Sequence, residues 1–315
     1  MAASAARRER VGGLEAVVLS HGGLEAWIVP SHGSNLARFT VGDRAVIDFD
    51  PGLLSKHDYT GTPVLYPTPN RVRDGVFRWK GRDYRQLKRG QLIVEHGLAH
   101  GEPWQCGEPV REDSGVRLET WLDFQPGAAV FEAFPFPHRL SLEFHLTNGG
   151  IRLTYAIHNQ GSEEIPFGFG LHPYFQKLGG EAGTLVQLPA EALMEATPDL
   201  LPTGRLVEVG GTPYDLRRPA AVGSLDLDHV FTGIPAGGQA RVEYRGLGLS
   251  VVLQASEDFT HLVLYTPRGE GFFCLENQTC STDAHNLYDR GFRRESGLKT
   301  VRPREIRRGF VTYAV

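Results

Sequence analysis

Glycine and proline punctuate this chain along its whole length, and between the breaks apolar residues return at every second position. The 38 glycines and 20 prolines leave little room for long helices, because both residues destabilise a helix interior. Period-two alternation is instead the pattern of a strand with one buried face. Val116, Leu118, Thr120, Leu122 and Phe124 alternate with polar neighbours. Leu142, Phe144 and Leu146 do the same, and after Asn148-Gly149-Gly150 the pattern resumes at Ile151, Leu153, Tyr155 and Ile157. Two such runs around Asn-Gly-Gly predict a β-hairpin. The device recurs around His21-Gly22-Gly23, Gly42-Asp43, Lys80-Gly81 and Arg245-Gly246. Hairpins in this number, without amphipathic helices between them, predict an all-β chain of antiparallel sheets packed as a large sandwich. No repeat, linker or composition shift divides it. Residues 13–315 therefore read as a single domain, after a disordered N-terminal arm over residues 1–12 that carries Arg7, Arg8 and Arg10.

Bulk properties remove several classes of function. A chain of 315 residues is ample for a large core. Its net charge of -4, with both signs well mixed, argues against nucleic acid or an anionic membrane as partner. No apolar run approaches the roughly 18 residues of a membrane span. The first residues, Met1-Ala-Ala-Ser-Ala-Ala-Arg7-Arg8, lack the apolar stretch of a secretory signal. Cys106, Cys274 and Cys280 are odd in number and follow no CxxC pattern, as expected of reduced thiols in a cytoplasmic protein. Neither a G-x-S-x-G elbow, a G-x-G-x-x-G fingerprint nor a Walker loop occurs. Nothing in the sequence specifies an oligomeric state.

Two apolar stretches that each end in one ionisable side chain carry the chemistry. They are Phe167-Gly-Phe-Gly-Leu-His172-Pro-Tyr-Phe175 and Phe272-Phe-Cys-Leu-Glu276-Asn-Gln-Thr279. In strands, alternation puts Gly168, Gly170 and His172 on one face, and Phe272, Cys274 and Glu276 on another. The two glycines suggest open space beside the imidazole, and the apolar neighbours make the carboxylate costly to ionise. Such a pair suits proton transfer to and from a bound substrate; the competing reading is a satisfied core histidine and a structural glutamate. Asn70-Arg71 and Arg73 supply donors for hydroxyl or carboxylate oxygens. Glu95-His96-Gly-Leu-Ala-His100 spaces two histidines four apart, but Gly97 and Gly101 oppose a helix there and no complete metal-ligand set is visible. Trp104 follows closely and offers an indole face for a sugar ring, or a core side chain.

Asn70-Arg71, His96-Gly97 with Trp104 behind it, Gly170-Leu-His172-Pro-Tyr-Phe175, Asp228-His-Val-Phe231 and Glu276-Asn-Gln-Thr279 occur in this order along the chain. Together they resemble the aldose 1-epimerase, or galactose mutarotase-like, family from about residue 13 to the C-terminus. Each motif is short; five in register make the resemblance specific. It implies a β-supersandwich and the interconversion of α and β anomers of a free aldose, without cofactor or metal. By position, Glu276 would be the general base and His172 the general acid. A negative Glu276 would then favour the imidazolium form of His172. His96, Arg71 and Asp228 would bind sugar hydroxyls with Asn70 in support, and Gln278 and Trp104 are further substrate-binding candidates. Leu98-Ala99-His100 departs from the Phe-Ala-Arg of relatives acting on phosphorylated hexoses, which sets a hexose-6-phosphate mutarotase, using Arg73 or Arg89, behind the free-sugar reading. A non-catalytic sugar-binding sandwich is the other alternative.

Overall fold

The computed structural model describes residues 4–315, which form antiparallel sheets joined by short helices. One sheet has 13 strands. Its main path runs Ala5–Val11, Leu14–His21, Leu24–Val29, Asn35–Val41, Arg44–Ile47, Tyr174–Gln176, Phe272–Gln278, His261–Tyr265, Asp228–Thr232, Ala192–Ala196 and Pro202–Glu208. A second sheet of ten strands is built around Gly115–Phe124, His138–Thr147, Gly150–Asn159 and Ile306–Ala314. The pairings predicted around glycine turns form, including the hairpin between His138–Thr147 and Gly150–Asn159. In His138–Thr147, buried and partly exposed residues alternate without a break.

The inner faces of the sheets share one hydrophobic cluster. Val17, Ile28 and Phe39 of the first sheet join Leu118, Leu142, Phe144 and Leu153 of the second, all almost fully buried. Each such side chain contributes on the order of 1.5–3 kcal/mol through burial. Among the described residues, no helix is long and apolar enough to cross a membrane.

The N-terminal arm differs from expectation. Residues 1–3 lie outside the described residues, but Ala5–Val11 is a strand paired with Leu14–His21 from Ala5 opposite Ser20 to Val11 opposite Leu14. Left-handed Gly12 and Gly13 make the turn. The arginines that suggested a solvated arm are engaged: Arg7 pairs with Glu9 and, at 2.8 Å, with Glu25, and Arg8 with Glu15 at 2.8 Å. An edge strand needs backbone pairing more than an apolar face, so hydropathy does not reveal it.

Candidate active site

Ladder register brings the two ionisable residues together. Gly170–Leu171 and Tyr174–Gln176 both pair with Phe272–Gln278, Leu171 opposite Asn277 and Tyr174 opposite Cys274. His172 therefore falls directly across from Glu276, on the same face. Its Nε2 lies 3.3 Å from Glu276 Oε1. The next strand adds Val263 opposite Glu276 and Tyr265 opposite Cys274, and Asp228 in turn pairs with Tyr265. Successive strands thus deliver His172, Glu276, Val263, Tyr265 and Asp228 to one wall of a pocket of about 200 Å³.

The opposite wall comes from irregular chain. Asn70 and His96 both adopt left-handed backbone conformations. The His96 amide donates to the Asn70 carbonyl at 2.8 Å, and Asn70 Oδ1 accepts from the Arg71 amide at 2.8 Å. Gly97 has φ +75°, and a Cβ there would stand 2.4 Å from the Tyr66 carbonyl oxygen, so the chain can pass this close only as glycine. His96 and His100 are consequently not on a helix; His96 lines the pocket, while His100 Nε2 donates to the His57 carbonyl at 2.8 Å. Arg71 reaches the pocket with its Nη1 3.1 Å from Glu95 Oε2. The Asp283 amide donates to the Arg71 carbonyl at 2.9 Å, fixing the loop from behind.

Six expected residues therefore meet around one pocket: Asn70, Arg71, His96, His172, Asp228 and Glu276. Two do not line it. Gln278 is fully buried beside it, where its amide donates to Glu276 Oε2 at 2.8 Å. Trp104 is a core residue whose indole N–H donates to the Ala99 carbonyl at 3.3 Å, so the sugar-stacking expectation is corrected. The expected space beside His172 is also filled. A Cβ on Gly168 would meet Cys280 Sγ at 2.3 Å, and one on Gly170 would meet Gln278 Cγ at 3.1 Å. These glycines admit neighbours rather than substrate; Gly170 makes room for the side chain that holds Glu276.

Sequence reasoning missed five lining residues: Tyr59, Glu95, Tyr174, Val263 and Tyr265. Tyr174 stacks on His172 with ring centroids 5.1 Å apart, and Tyr59 lies near-parallel to the same imidazole at 6.4 Å. Tyr174, two positions after His172 on alternating chain, was open to discovery by that spacing. Tyr59 stands in a loop without any such signal.

Burial sets the protonation of the pair. It raises the Glu276 carboxyl to about 8, opposed by the Gln278 hydrogen bond and assisted by the charge of Asp228. It lowers His172 to about 4 and His96 well below its ordinary value. The expected imidazolium is thus corrected: a carboxyl that keeps its own proton offers His172 no charge to stabilise it. Asp228, at the mouth, is raised by partial burial and lowered by Arg71. A neutral acid and a neutral imidazole facing one small polar pocket can exchange protons with a ligand between them.

A sequence profile of the family described as aldose 1-epimerase matches residues 15–314. The chain belongs to the aldose 1-epimerase family. Within that family setting it is 29% identical over 238 residues to the uncharacterized protein YphB of Escherichia coli (strain K12), a match covering 72% of this chain and 76% of that protein. It is 26% identical over 205 residues to the galactose mutarotase of Bos taurus, covering 61% of this chain but 58% of the bovine protein. In fold, it resembles the crystal structure of a galactose mutarotase-like protein from Clostridium acetobutylicum, with a TM-score of 0.83 at 21% identity over 99% of this chain and 98% of the other.

Proposed function

We propose that this member of the family interconverts the α and β anomers of a free aldose such as glucose or galactose. The observation that carries this reading is the 3.3 Å approach of His172 Nε2 to Glu276 Oε1 at the wall of a hexose-sized pocket. Mutarotation moves two protons on one sugar. The anomeric hydroxyl loses one, the ring oxygen gains one, the C1–O5 bond breaks and C1 becomes an aldehyde. Rotation about C1–C2 presents the other carbonyl face, and the reverse transfers close the ring.

With Glu276 at about 8 and His172 at about 4, the pair holds one proton across the interval between them. That proton count is the same whether the pair is carboxyl and imidazole or carboxylate and imidazolium. Burial disfavours each charge, but opposite charges at this separation attract in a low dielectric, so the second form costs less than either charge alone. From it, Glu276 accepts the anomeric proton as His172 donates to the ring oxygen. The pair is left as carboxyl and imidazole, the form that burial favours. Arg71, His96 and Asp228 hold sugar hydroxyls so that C1 and the ring oxygen meet the pair, Asn70 fixes the loop bearing Arg71, and Gln278 orients the carboxyl. Atoms and protons balance without any cofactor.

The charge pattern supports an unphosphorylated substrate. Arg71 is the one cationic side chain among the described lining residues, and it is paired with Glu95. Arg89 is held by Glu102 through two hydrogen bonds of 2.6 and 2.7 Å. The direct test is polarimetry of freshly dissolved α-glucose or α-galactose. Glu276→Gln is expected to lower turnover on the order of 10²–10⁴-fold with the fold intact. Retention of the wild-type rate would remove Glu276 as the base, and a preference for glucose 6-phosphate over glucose would overturn the substrate assignment.

A further inference from the structure

The strand Phe272–Gln278 has two faces, and only one serves the pocket of His172 and Glu276. Glu276 and Gln278 lie on that face, so alternation turns Asn277, between them, to the reverse side. There Asn277 lines a separate cavity of about 250 Å³, with Leu262 of the neighbouring strand opposite it in the ladder. No residue is shared between this cavity and the catalytic pocket. Asn277 is 5% exposed, and its Oδ1 has no hydrogen-bond partner among the described residues. An unpaired buried amide oxygen is costly, so the cavity contains an acceptor that the protein itself does not use. Two further polar groups line the same space. Ser256 Oγ accepts from the Phe310 amide at 3.0 Å, which leaves its hydroxyl hydrogen to donate. The Glu257 carboxylate stands at the exposed edge. Leu253, Phe259 and Leu262 supply apolar surface, and no lysine or arginine is among the described lining residues.

We infer that this cavity is a second binding site, on the reverse of the catalytic strand, for a neutral ring polyol such as a hexose. At about 250 Å³ it is slightly larger than the pocket of about 200 Å³ assigned to the reacting sugar. An amide presents an acceptor beside a donor, which matches the two hydroxyls of a vicinal diol. Glu257 and Ser256 take hydroxyls further round the ring, and its C–H surface rests on the leucines and Phe259. An anionic ligand meets no counter-charge there. The site stands whether or not the catalytic pocket exchanges anomers.

The test is isothermal titration with methyl β-glucoside and with myo-inositol, ring polyols that cannot exchange anomers. It is run in an Arg71→Ala background, which weakens binding at the catalytic pocket, and at least one of the two is expected to bind. Asn277→Leu keeps the branching of the side chain but no polar atom. It is expected to weaken that binding about tenfold or more, the scale of one lost hydrogen bond. Ala236→Trp fills the cavity from an exposed position and is expected to do the same without touching the strand. Thermal unfolding gives a second readout. Without ligand, Asn277→Leu is expected to unfold at a higher temperature than its parent, because the unpaired amide is gone; bound polyol is expected to narrow the gap. Binding of neither polyol, binding that survives both substitutions, or a gap that polyol leaves unchanged would overturn the site. Tighter binding of 2-aminoethanol than of either polyol would overturn its assignment to neutral ligands.

Discussion

Gln278 sits two positions beyond Glu276 on the same strand and donates a 2.8 Å hydrogen bond to its Oε2, leaving Oε1 to face His172. One strand face therefore presents both the carboxyl and the group that aims it. This bond favours the ionised carboxylate and lowers its pKa against burial. Gln278→Leu is expected to raise the Glu276 pKa further above its value of about 8 and to move the alkaline limb of kcat/KM upward. It should also lower kcat by roughly tenfold through loss of alignment. A pH–rate profile reads both effects; an unmoved alkaline limb would show that the amide does not tune the base.

The wild-type pH dependence follows from the proton count of the pair. Below about 4 both members are protonated and no base is available; above about 8 both are deprotonated and no acid is available. A bell-shaped kcat/KM with limbs near these values is expected for a substrate that does not itself titrate. A single ionisation across this range would contradict the shared-proton scheme.

Stability should carry the mark of the same carboxyl. The folded protein holds the Glu276 proton up to about 8, whereas the unfolded chain releases it near the ordinary value of 4.5. Stability due to this group is therefore greatest at low pH and falls as pH rises through that window. The lowered His172 acts oppositely, but its contribution is complete above its ordinary value of 6.5. Between pH 6.5 and 8, wild type should lose up to about 2 kcal/mol relative to Glu276→Gln. Urea denaturation of both proteins across this interval measures it, and parallel curves would refute the buried neutral carboxyl.

Gly168→Ala tests the close packing behind the site. The added methyl would stand 2.3 Å from Cys280 Sγ and 2.6 Å from Pro69 Cδ. The expected cost is about 1–3 kcal/mol from overpacking, with displacement of the chain entering Asn70 and a raised KM. Thermal or urea unfolding together with sugar kinetics checks both; unchanged stability would mean that the Pro69 turn yields freely.

Much of the fold was legible because glycine turns and period-two alternation are local signals. The hairpin of Leu142 and Leu153 shows this, as does that of Val242 and Val251. The pairing of Gly170–Leu171 with Val64–Leu65 was not legible, since partners about a hundred residues apart leave no turn between them. In the site, Arg71, His96, His172, Asp228 and Glu276 were readable from short motifs. Trp104 misled because an indole near a histidine reads alike in a core and in a pocket. Tyr59 and Glu95 were not singled out for another reason: they lie close to left-handed His57 and His96 in irregular chain, where periodicity carries no information.

The break at His172-Pro173 has a further consequence. Strand pairing on both sides of it is made to the very ribbon that bears Glu276, so the imidazole and the carboxyl are fastened to a common rail. Thermal motion of that rail carries the two together. Their spacing is thereby set by strand pairing and not by the irregular chain that brings Asn70, Arg71 and His96 to the same pocket.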